Sequence, residues 1–134
     1  MKSGGRPAEA DSPAPRRLLF SLNDLRLVRQ VTAQWATRVG LSASRTDDFV
    51  IAVQEIAANA VQYGSPAARL LLRVTGGAAA AEIHDDGCWQ ASPEATPAAG
   101  RSGGMGLALA RLVCDEVEIR TGSGGTTVLV RMRP

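Results

Sequence analysis

The spacing of apolar residues changes from helical to strand-like at Gly64–Ser65–Pro66. Before that point, apolar residues recur at helical spacing from about Leu25 to Val39, and again up to about Tyr63. After it, Arg69–Thr75 and Ala80–Asp85 are short apolar runs separated by two glycines, which is typical of two strands joined by a turn. A chain that keeps its helices and strands in separate stretches is expected to fold as an α+β domain.

Further segments complete the predicted layout. Arg17–Leu22 fits a short first strand, and Leu107–Cys114 fits a third helix. Glu116–Thr121 and Thr126–Arg133 fit a final hairpin. The segment Gly87–Gly103 has little pattern, and a loop of that length in a small domain is usually functional or mobile. The sequence therefore predicts a two-layer α+β sandwich, in which a mostly antiparallel mixed sheet is covered on one face by about three helices.

The composition limits the class of protein. The 134 residues are enough for one domain, and we expect a disordered arm over residues 1–16, rich in Gly, Pro, Ala and charge, before a domain over residues 17–134. The net charge of +2 comes without a basic stripe interleaved with aromatics, which disfavours direct nucleic-acid binding. Cys88 and Cys114 lack the spacing of a zinc site. No apolar run reaches membrane-spanning length, so we expect a cytoplasmic protein without a membrane partner.

A polar pair stands out in the second predicted helix. Glu55 and Asn59, followed by Tyr63, recur every four residues and therefore share one helical face. A carboxylate and a carboxamide one turn apart suit a hard cation or a polarised water, because both bind oxygen atoms. The apolar side of the same helix is expected to consist of Ile51, Val53, Ile56, Ala57 and Ala60.

Asp85–Asp86–Gly87 closes the second of the two central strands. If Ile83 faces the helices, strand alternation turns Asp85 the same way and His84 outward. An inward carboxylate needs a hydrogen-bond donor, and the amino group of an adenine could supply one. The alternative is a polar turn that only ends the strand.

Two glycine-containing segments follow. Gly103–Gly104–Met105–Gly106–Leu107 precedes the third predicted helix. Glycines let a backbone approach a ligand closely, and a helix N-terminus offers N–H groups to phosphate; a flexible hinge is the alternative. Gly124–Gly125–Thr126–Thr127 lies in the last hairpin, where a glycine turn between edge strands is the simpler interpretation of that segment alone.

Taken together and in this order, the segments carry a family resemblance that covers roughly residues 18–133. They resemble the four motifs of the histidine-kinase-like ATPase family, also called the GHKL or Bergerat fold: Glu55/Asn59, Asp85–x–Gly87, Gly104–x–Gly106–Leu107 and Gly125–Thr126. Within that family the chain is similar to the bacterial anti-sigma-factor serine kinases, which are single ATPase domains. Their helix followed by Asp–x–Val–x–Ile matches Asp115, Val117 and Ile119 here.

The resemblance implies a role in binding ATP and Mg²⁺ for each matched residue. Asn59 would ligate Mg²⁺ bound to the ATP phosphates, and Glu55 would be the general base that takes a proton from a serine hydroxyl or a water. Asp85 would accept from the adenine amino group, with Gly87 allowing close approach. Thr126 would support the adenine end of the nucleotide.

The resemblance also assigns the lid and the loop before it. Arg101 would neutralise charge on the γ-phosphate. Trp89 stands where the family has the last glycine of Asp–x–Gly–x–Gly, and its indole either stacks near the base or packs under the lid. The lid backbone that wraps the phosphates would consist of Gly104, Met105, Gly106 and Leu107.

The activity implied by the resemblance is that of an ATP-dependent serine protein kinase in a partner-switching system. Such a protein binds a sigma factor in one state, and in the other it binds and phosphorylates an anti-sigma-factor antagonist protein. A homodimer through the first strand and helix is expected on the same ground. Two alternatives stay open: a catalytically weak or inactive ATP-binding module that acts only through protein binding, and a small ATPase without a protein substrate.

Overall fold

The described part of the chain, residues 14–87 and 102–134 of a computed structural model, contains five strands and three helices. Positions 1–13 of the expected arm lie outside it, as do positions 88–101, which include Trp89 and Arg101. In chain order the elements are β1 (Arg16–Ser21), a 3₁₀ turn (Leu22–Asp24), α1 (Leu25–Arg38), α2 (Ala43–Asn59), a π turn (Ala60–Gly64), β2 (Ala67–Thr75), β3 (Ala78–Asp85), α3 (Ser102–Val113), β4 (Glu116–Gly122) and β5 (Gly125–Met132).

The strands form a single sheet in the order β1-β2-β3-β5-β4, and each neighbouring pair among them is antiparallel. Gly76 and Gly77 join β2 to β3 with φ angles of 58° and 79°, as a two-residue type I′ turn requires. The turn fixes the register that sets Leu70 opposite Ile83. Because residues opposite each other share a face, this register collects the apolar positions of both strands on one side.

The helices cover one face of this sheet. Val28 and Trp35 of α1 and Phe49, Val53 and Ile56 of α2 belong to the same buried cluster as the sheet residues. Burying one large apolar side chain contributes about 1.5–3 kcal/mol, so this cluster supplies the main stabilisation of the fold. The predicted two-layer α+β sandwich is confirmed. The buried sheet residues at alternate positions are Ala68, Leu70, Leu72, Ala79, Ala81, Ile83, Val128, Val130 and Met132.

The opposite face of the sheet is polar. Arg73 forms an ion pair with Glu82, and Arg120 lies 3.3 Å from the carboxylate of Glu118. Together with Thr127 and Leu129, these side chains line a shallow depression of about 150 Å³. Antiparallel sheets commonly pair one core face with one solvated face in this way.

Defined caps separate α1 from α2. The N–H of Gly40 donates to the carbonyl of Thr37 at 3.1 Å, and the φ of 96° at Gly40 is the left-handed conformation that ends many helices. The Ser42 hydroxyl then accepts from the N–H of Arg45 at 3.1 Å, which caps the N-terminus of α2. The short connection lets α2 return alongside α1.

The predicted start of the third helix is wrong. The sequence placed Gly103–Leu107 before that helix, but α3 begins at Ser102 and contains the whole segment. A glycine costs about 1 kcal/mol in a helix interior and does not prohibit one. Because α3 packs along α2, tertiary packing selects the helix over the local preference of its glycines.

The predicted apolar side of α2 is wrong at one position. Ile51 is 45% exposed, whereas Val53, Ile56, Ala57 and Ala60 are buried as expected. The repeat that begins at Phe49 and continues through those buried residues sets the core stripe, and Ile51 lies outside it.

Candidate functional site

The C-terminal end of α2 and the C-terminal end of β3 meet at one end of the two layers. The π turn Ala60–Gly64 follows Asn59 directly, and β2 begins at Ala67. Ala68 is opposite Asp85, the last residue of β3. Because the π turn also packs against both β2 and β3, the Asn59 end of α2 lies at the Asp85 end of β3.

The glycine-rich end of α3 lies at this same end. α3 packs along α2, and Arg45 in the first turn of α2 forms an ion pair of 2.8 Å with Asp115, just after the end of α3. The C-terminal end of α3 is therefore tied to the N-terminal end of α2, and the two helices run antiparallel. The other end of α3, which starts at Ser102, consequently lies toward Asn59.

Asp85 points into the molecule, as strand alternation predicted. It is 2% exposed and shares its face with Ile83, while His84 lies on the outer face, where its Nδ1 is 2.7 Å from the Thr127 hydroxyl. The N–H of Gly87 donates to the Oδ1 of Asp85 at 2.8 Å. An ionised carboxylate accepts at about four positions, so this turn holds a buried acceptor group at the strand end.

Thr126 closes the turn from the neighbouring strand. It lies opposite Asp85 in the register and is fully buried. Its hydroxyl donates to the carbonyl of Gly87 at 3.1 Å and lies 3.0 Å from the hydroxyl of Thr121. The Asp85–Gly87 turn is thus bound both to its own carboxylate and to the start of β5.

The family motif included Gly125 without giving it a role, and its close contact with the Asp85 turn is what the sequence reasoning missed. Its φ is 114°, and a Cβ built on it would overlap the main-chain carbonyl oxygen of Asp85 and lie 3.0 Å from the Cα of Asp86. The sequence placed Gly125 in the hairpin turn, whereas it is the first residue of β5, paired with Gly122. A glycine inside a strand often marks close approach of another backbone, and that was the available signal.

Asn59 and Glu55 differ in their access to solvent. Asn59 is 2% exposed, while Glu55, one turn earlier on the same face, is half-buried. The α-helical spacing that relates Glu55 to Asn59 ends there, because the backbone widens into the π turn after Asn59. Single π turns of this kind occur frequently at functional sites.

The predicted lid residues divide into two groups because they lie within α3. The first four N–H groups of a helix have no partner inside it, and in α3 these include the N–H groups of Gly104 and Met105. The N–H groups of Gly106 and Leu107 fall in the following turn, where the helical pattern directs them to carbonyls four residues earlier. Two of the four predicted residues therefore present their N–H groups at the helix end. Arg101 lies outside the described residues.

Protein side chains alone provide no metal centre within the described ranges. Residues 14–87 and 102–134 contain no group of three His, Cys, Asp or Glu side chains close enough to hold an ion. A Mg²⁺ ion held by one or two protein oxygens and by substrate phosphates does not require such a group. Among the described helices, none has the length and apolar character needed to cross a membrane.

Solved structures with a similar fold include the three that follow. The RsbU and RsbW domains of Rv1364c from Mycobacterium tuberculosis align with a TM-score of 0.71 and 27% identity over 90% of this chain, which spans 32% of that chain. The histidine kinase domain of the Erythrobacter litoralis EL346 blue-light activated histidine kinase aligns at 0.51 and 17% over 84% of this chain and 61% of that one. A second structure of the EL346 kinase aligns at 0.51 and 20% over 84% and 42%.

The two Erythrobacter matches bear on the fold alone, because their identities are low. The chain spans about a third of the Mycobacterium protein, so the match concerns one part of that longer chain. Independently, residues 19–132 match the family model of the histidine kinase-like ATPase domain, which is most of the sequence. The chain therefore belongs to the family of histidine kinase-like ATPase domains, as its motifs indicated.

Proposed function

We propose that this protein binds Mg-ATP at the Asp85 end of the sheet and transfers the γ-phosphate to a serine of an antagonist protein. The observation that carries the proposal is the buried carboxylate of Asp85, held in a turn by Gly87 and Thr126 at the end of the sheet where α2 terminates. Family membership supports a kinase or ATPase role in regulation.

The residues at this end of the sheet fit a purine. The carboxylate of Asp85 is a hydrogen-bond acceptor at the strand end, which is the polarity that recognition of the adenine amino group requires. Gly87 and Gly125 keep side chains away from the turn, and Thr126 lies beside Asp85 on the next strand. This arrangement supports recognition of the base by its polar edge.

The residues along α2 and α3 fit a triphosphate with its ion. Asn59 offers a carboxamide oxygen, which together with phosphate oxygens satisfies the preference of Mg²⁺ for oxygen ligands. The N–H groups of Gly104 and Met105 at the start of α3 favour anionic phosphate through hydrogen bonding and the helix dipole. Arg101 is proposed to neutralise the γ-phosphate, and Gly106 and Leu107 to complete the lid when nucleotide is bound.

Glu55 is proposed as the general base. Its carboxylate takes the proton of the serine hydroxyl while the serine oxygen bonds to the γ-phosphorus, and the bond from that phosphorus to the oxygen of ADP breaks. ADP leaves with its oxygen, and phosphoserine forms. The half-buried position of Glu55 on the face of Asn59 supports this role, because a protein substrate has to reach the base from solvent.

The similarity to a chain that contains RsbU and RsbW domains supports a proposal about protein partners. We propose that the protein binds a sigma factor in one state and the antagonist in the other, in the cytoplasm and as a homodimer. We also propose that residues 17–134 form the ATPase domain and residues 1–16 an arm, whose last residue, Arg16, is already the first residue of β1. These assignments rest on the resemblance.

Calorimetric titration with Mg-ATP tests the nucleotide site. We expect the wild-type protein to bind Mg-ATP, Asn59→Ala to lose most of the Mg²⁺-dependent part of the affinity, and Asp85→Ala to lose binding of the base. Glu116→Ala, exposed on β4 at the other end of the sheet, is the matched control and should bind like the wild type. Wild-type protein that does not bind Mg-ATP would contradict the proposal.

Trp89, in place of a family glycine, favours a second candidate function, an ATP-binding module that acts only by binding proteins. Transfer of labelled phosphate from ATP to an antagonist separates the two. A regulatory output that survives Glu55→Ala, with no phosphate transfer by the wild type, would support the binding module.

A further inference from the structure

We propose that Gly125 is a positioning residue that sets the preference of this site for adenine, because its missing side chain leaves room for the backbone of the Asp85–Asp86–Gly87 turn. The inference rests on the proposed function, since it concerns the same nucleotide site. Gly125 lies on β5, whereas Asp85, whose carboxylate is proposed to bind the base, lies on β3.

Gly125 packs directly against the backbone of the Asp85–Asp86–Gly87 turn. A Cβ on Gly125 would overlap the carbonyl oxygen of Asp85 and lie 3.0 Å from the Cα of Asp86, and both of these groups belong to main chain. A flexible side chain can rotate away from such an overlap, but a strand end held by hydrogen bonds has to shift as a whole. The φ of 114° adds a backbone preference that side-chain-bearing residues rarely adopt.

The displaced group is the one proposed to read the base. Asp85 carries the carboxylate, and Gly87 is bound to that carboxylate at 2.8 Å and to the Thr126 hydroxyl at 3.1 Å. A shift of the Asp85 backbone therefore changes both the direction of the carboxylate and the position of the turn. Losing a hydrogen bond to a charged group lowers affinity by roughly 10- to 100-fold, so we expect recognition of the base to weaken.

Other glycines of the chain provide matched controls. Gly124, in the same hairpin, has no neighbouring atom within 4 Å of the place a Cβ would occupy and no unusual φ, so Gly124→Ala tests the loss of a hairpin glycine alone. Gly77 has a φ of 79° but the same open space around its Cβ position, so Gly77→Ala tests backbone strain without overlap. Only Gly125 among these three combines both features.

The experiment compares the affinities of Mg-ATP and Mg-ITP, because inosine replaces the adenine amino donor with an oxygen. Titrations of the full chain should give an ATP preference for the wild type and for Gly124→Ala and Gly77→Ala. Gly125→Ala should lose about tenfold of that preference, mainly by weaker ATP binding, while ITP affinity stays near the wild-type value. A merely structural role of Gly125 would lower the melting temperature without changing the ratio.

Three outcomes distinguish the possibilities. If the wild type shows no preference for ATP over ITP, the proposed adenine site itself is wrong. If the wild type discriminates and Gly125→Ala discriminates equally well, the role of Gly125 is wrong and the nucleotide site stands. If Gly125→Ala does not fold, Thr126→Val removes the hydrogen bond to Gly87 that holds the same turn, and an unchanged ratio in that variant overturns the inference.

Discussion

Arg45 and Asp115 form an ion pair of 2.8 Å that joins the first turn of α2 to the residue pair following α3. The same Asp115 oxygen accepts from the N–H of Arg133 at 2.7 Å, and the Nε of Arg45 donates to the carbonyl of Arg133 at 2.7 Å. Three segments distant in sequence are thereby closed into one hydrogen-bonded ring. This ring ties the start of α2 to the end of α3, in line with the antiparallel packing of the two helices.

Acid should weaken this ring. The hydrogen bond from Arg133 N–H, and then the charge of Arg45, hold the pKa of Asp115 below its ordinary value of 3.8. Because the folded pKa is lower than the unfolded one, the contribution to stability is present above pH 3.8 and is lost as pH falls through the folded pKa. Urea unfolding between pH 2 and pH 7 should show a steeper acid loss for the wild type than for Asp115→Asn. Asp47→Asn, exposed on α2, should follow the wild type; equal slopes for all three proteins would exclude a role of the ring.

Cys114 should be chemically unreactive in the folded protein. Burial first, and then the neighbouring Asp115 charge, raise the pKa of its thiol to about 12. At pH 8 the reactive thiolate is then about one part in ten thousand. In a Cys88→Ser background, labelling with a thiol-specific disulfide reagent should be slow in buffer and fast in urea. Rapid native labelling would contradict the burial of Cys114.

Thr32→Val should stabilise the protein. Thr32 is fully buried in α1, and its hydroxyl has no hydrogen-bond partner among the described residues. Replacing an unsatisfied buried hydroxyl with a methyl group of similar shape should gain about 1 kcal/mol in the free energy of unfolding. Thr46→Val is the matched control, because the Thr46 hydroxyl donates to the Leu41 carbonyl at 3.4 Å and its loss should not stabilise. Chemical denaturation of the wild type and both variants measures these changes in the free energy of unfolding.

Glu55→Gln should separate catalysis from binding. The amide keeps the size of the side chain but cannot take a proton, so phosphate transfer should fall by about 10²–10⁴-fold with the ATP dissociation constant unchanged. Glu116→Gln, at the opposite end of the sheet, should transfer phosphate at the wild-type rate. Single-turnover transfer to an antagonist serine, or to water in its absence, provides the rate. A Glu55→Gln protein as fast as the wild type would remove Glu55 from the mechanism.

Strand alternation was the most reliable part of the sequence reasoning. Period-two patterning placed Ile83 and Asp85 on the inner face and His84 on the outer face because a one-residue error would have exposed the apolar positions. The glycine pair Gly76–Gly77 located the β2–β3 turn for a similar reason, since few other residues adopt its two positive φ angles.

Features decided by tertiary contact were beyond the sequence. The glycines of α3 argued locally against a helix start at Ser102, and the packing of α3 along α2 that favours the helix is a long-range contact. The close approach between Gly125 and the Asp85 carbonyl joins two strands that are far apart in the chain. The exposure of Ile51 depends on which helical stripe the sheet covers, and several stripes of α2 are apolar enough to be candidates.

The π turn after Asn59 also constrains how this segment can change in length. A π turn contains about one residue more than an α-helical turn. This turn lies between Asn59 and the first paired residue of β2. Deleting a residue from Ala60–Gly64 would either rotate the helix end away from β3 or shift β2 by one position, turning Ala68, Leu70 and Leu72 outward. Homologous chains that keep both the carboxamide and the strand register should therefore show no insertions or deletions between these two elements.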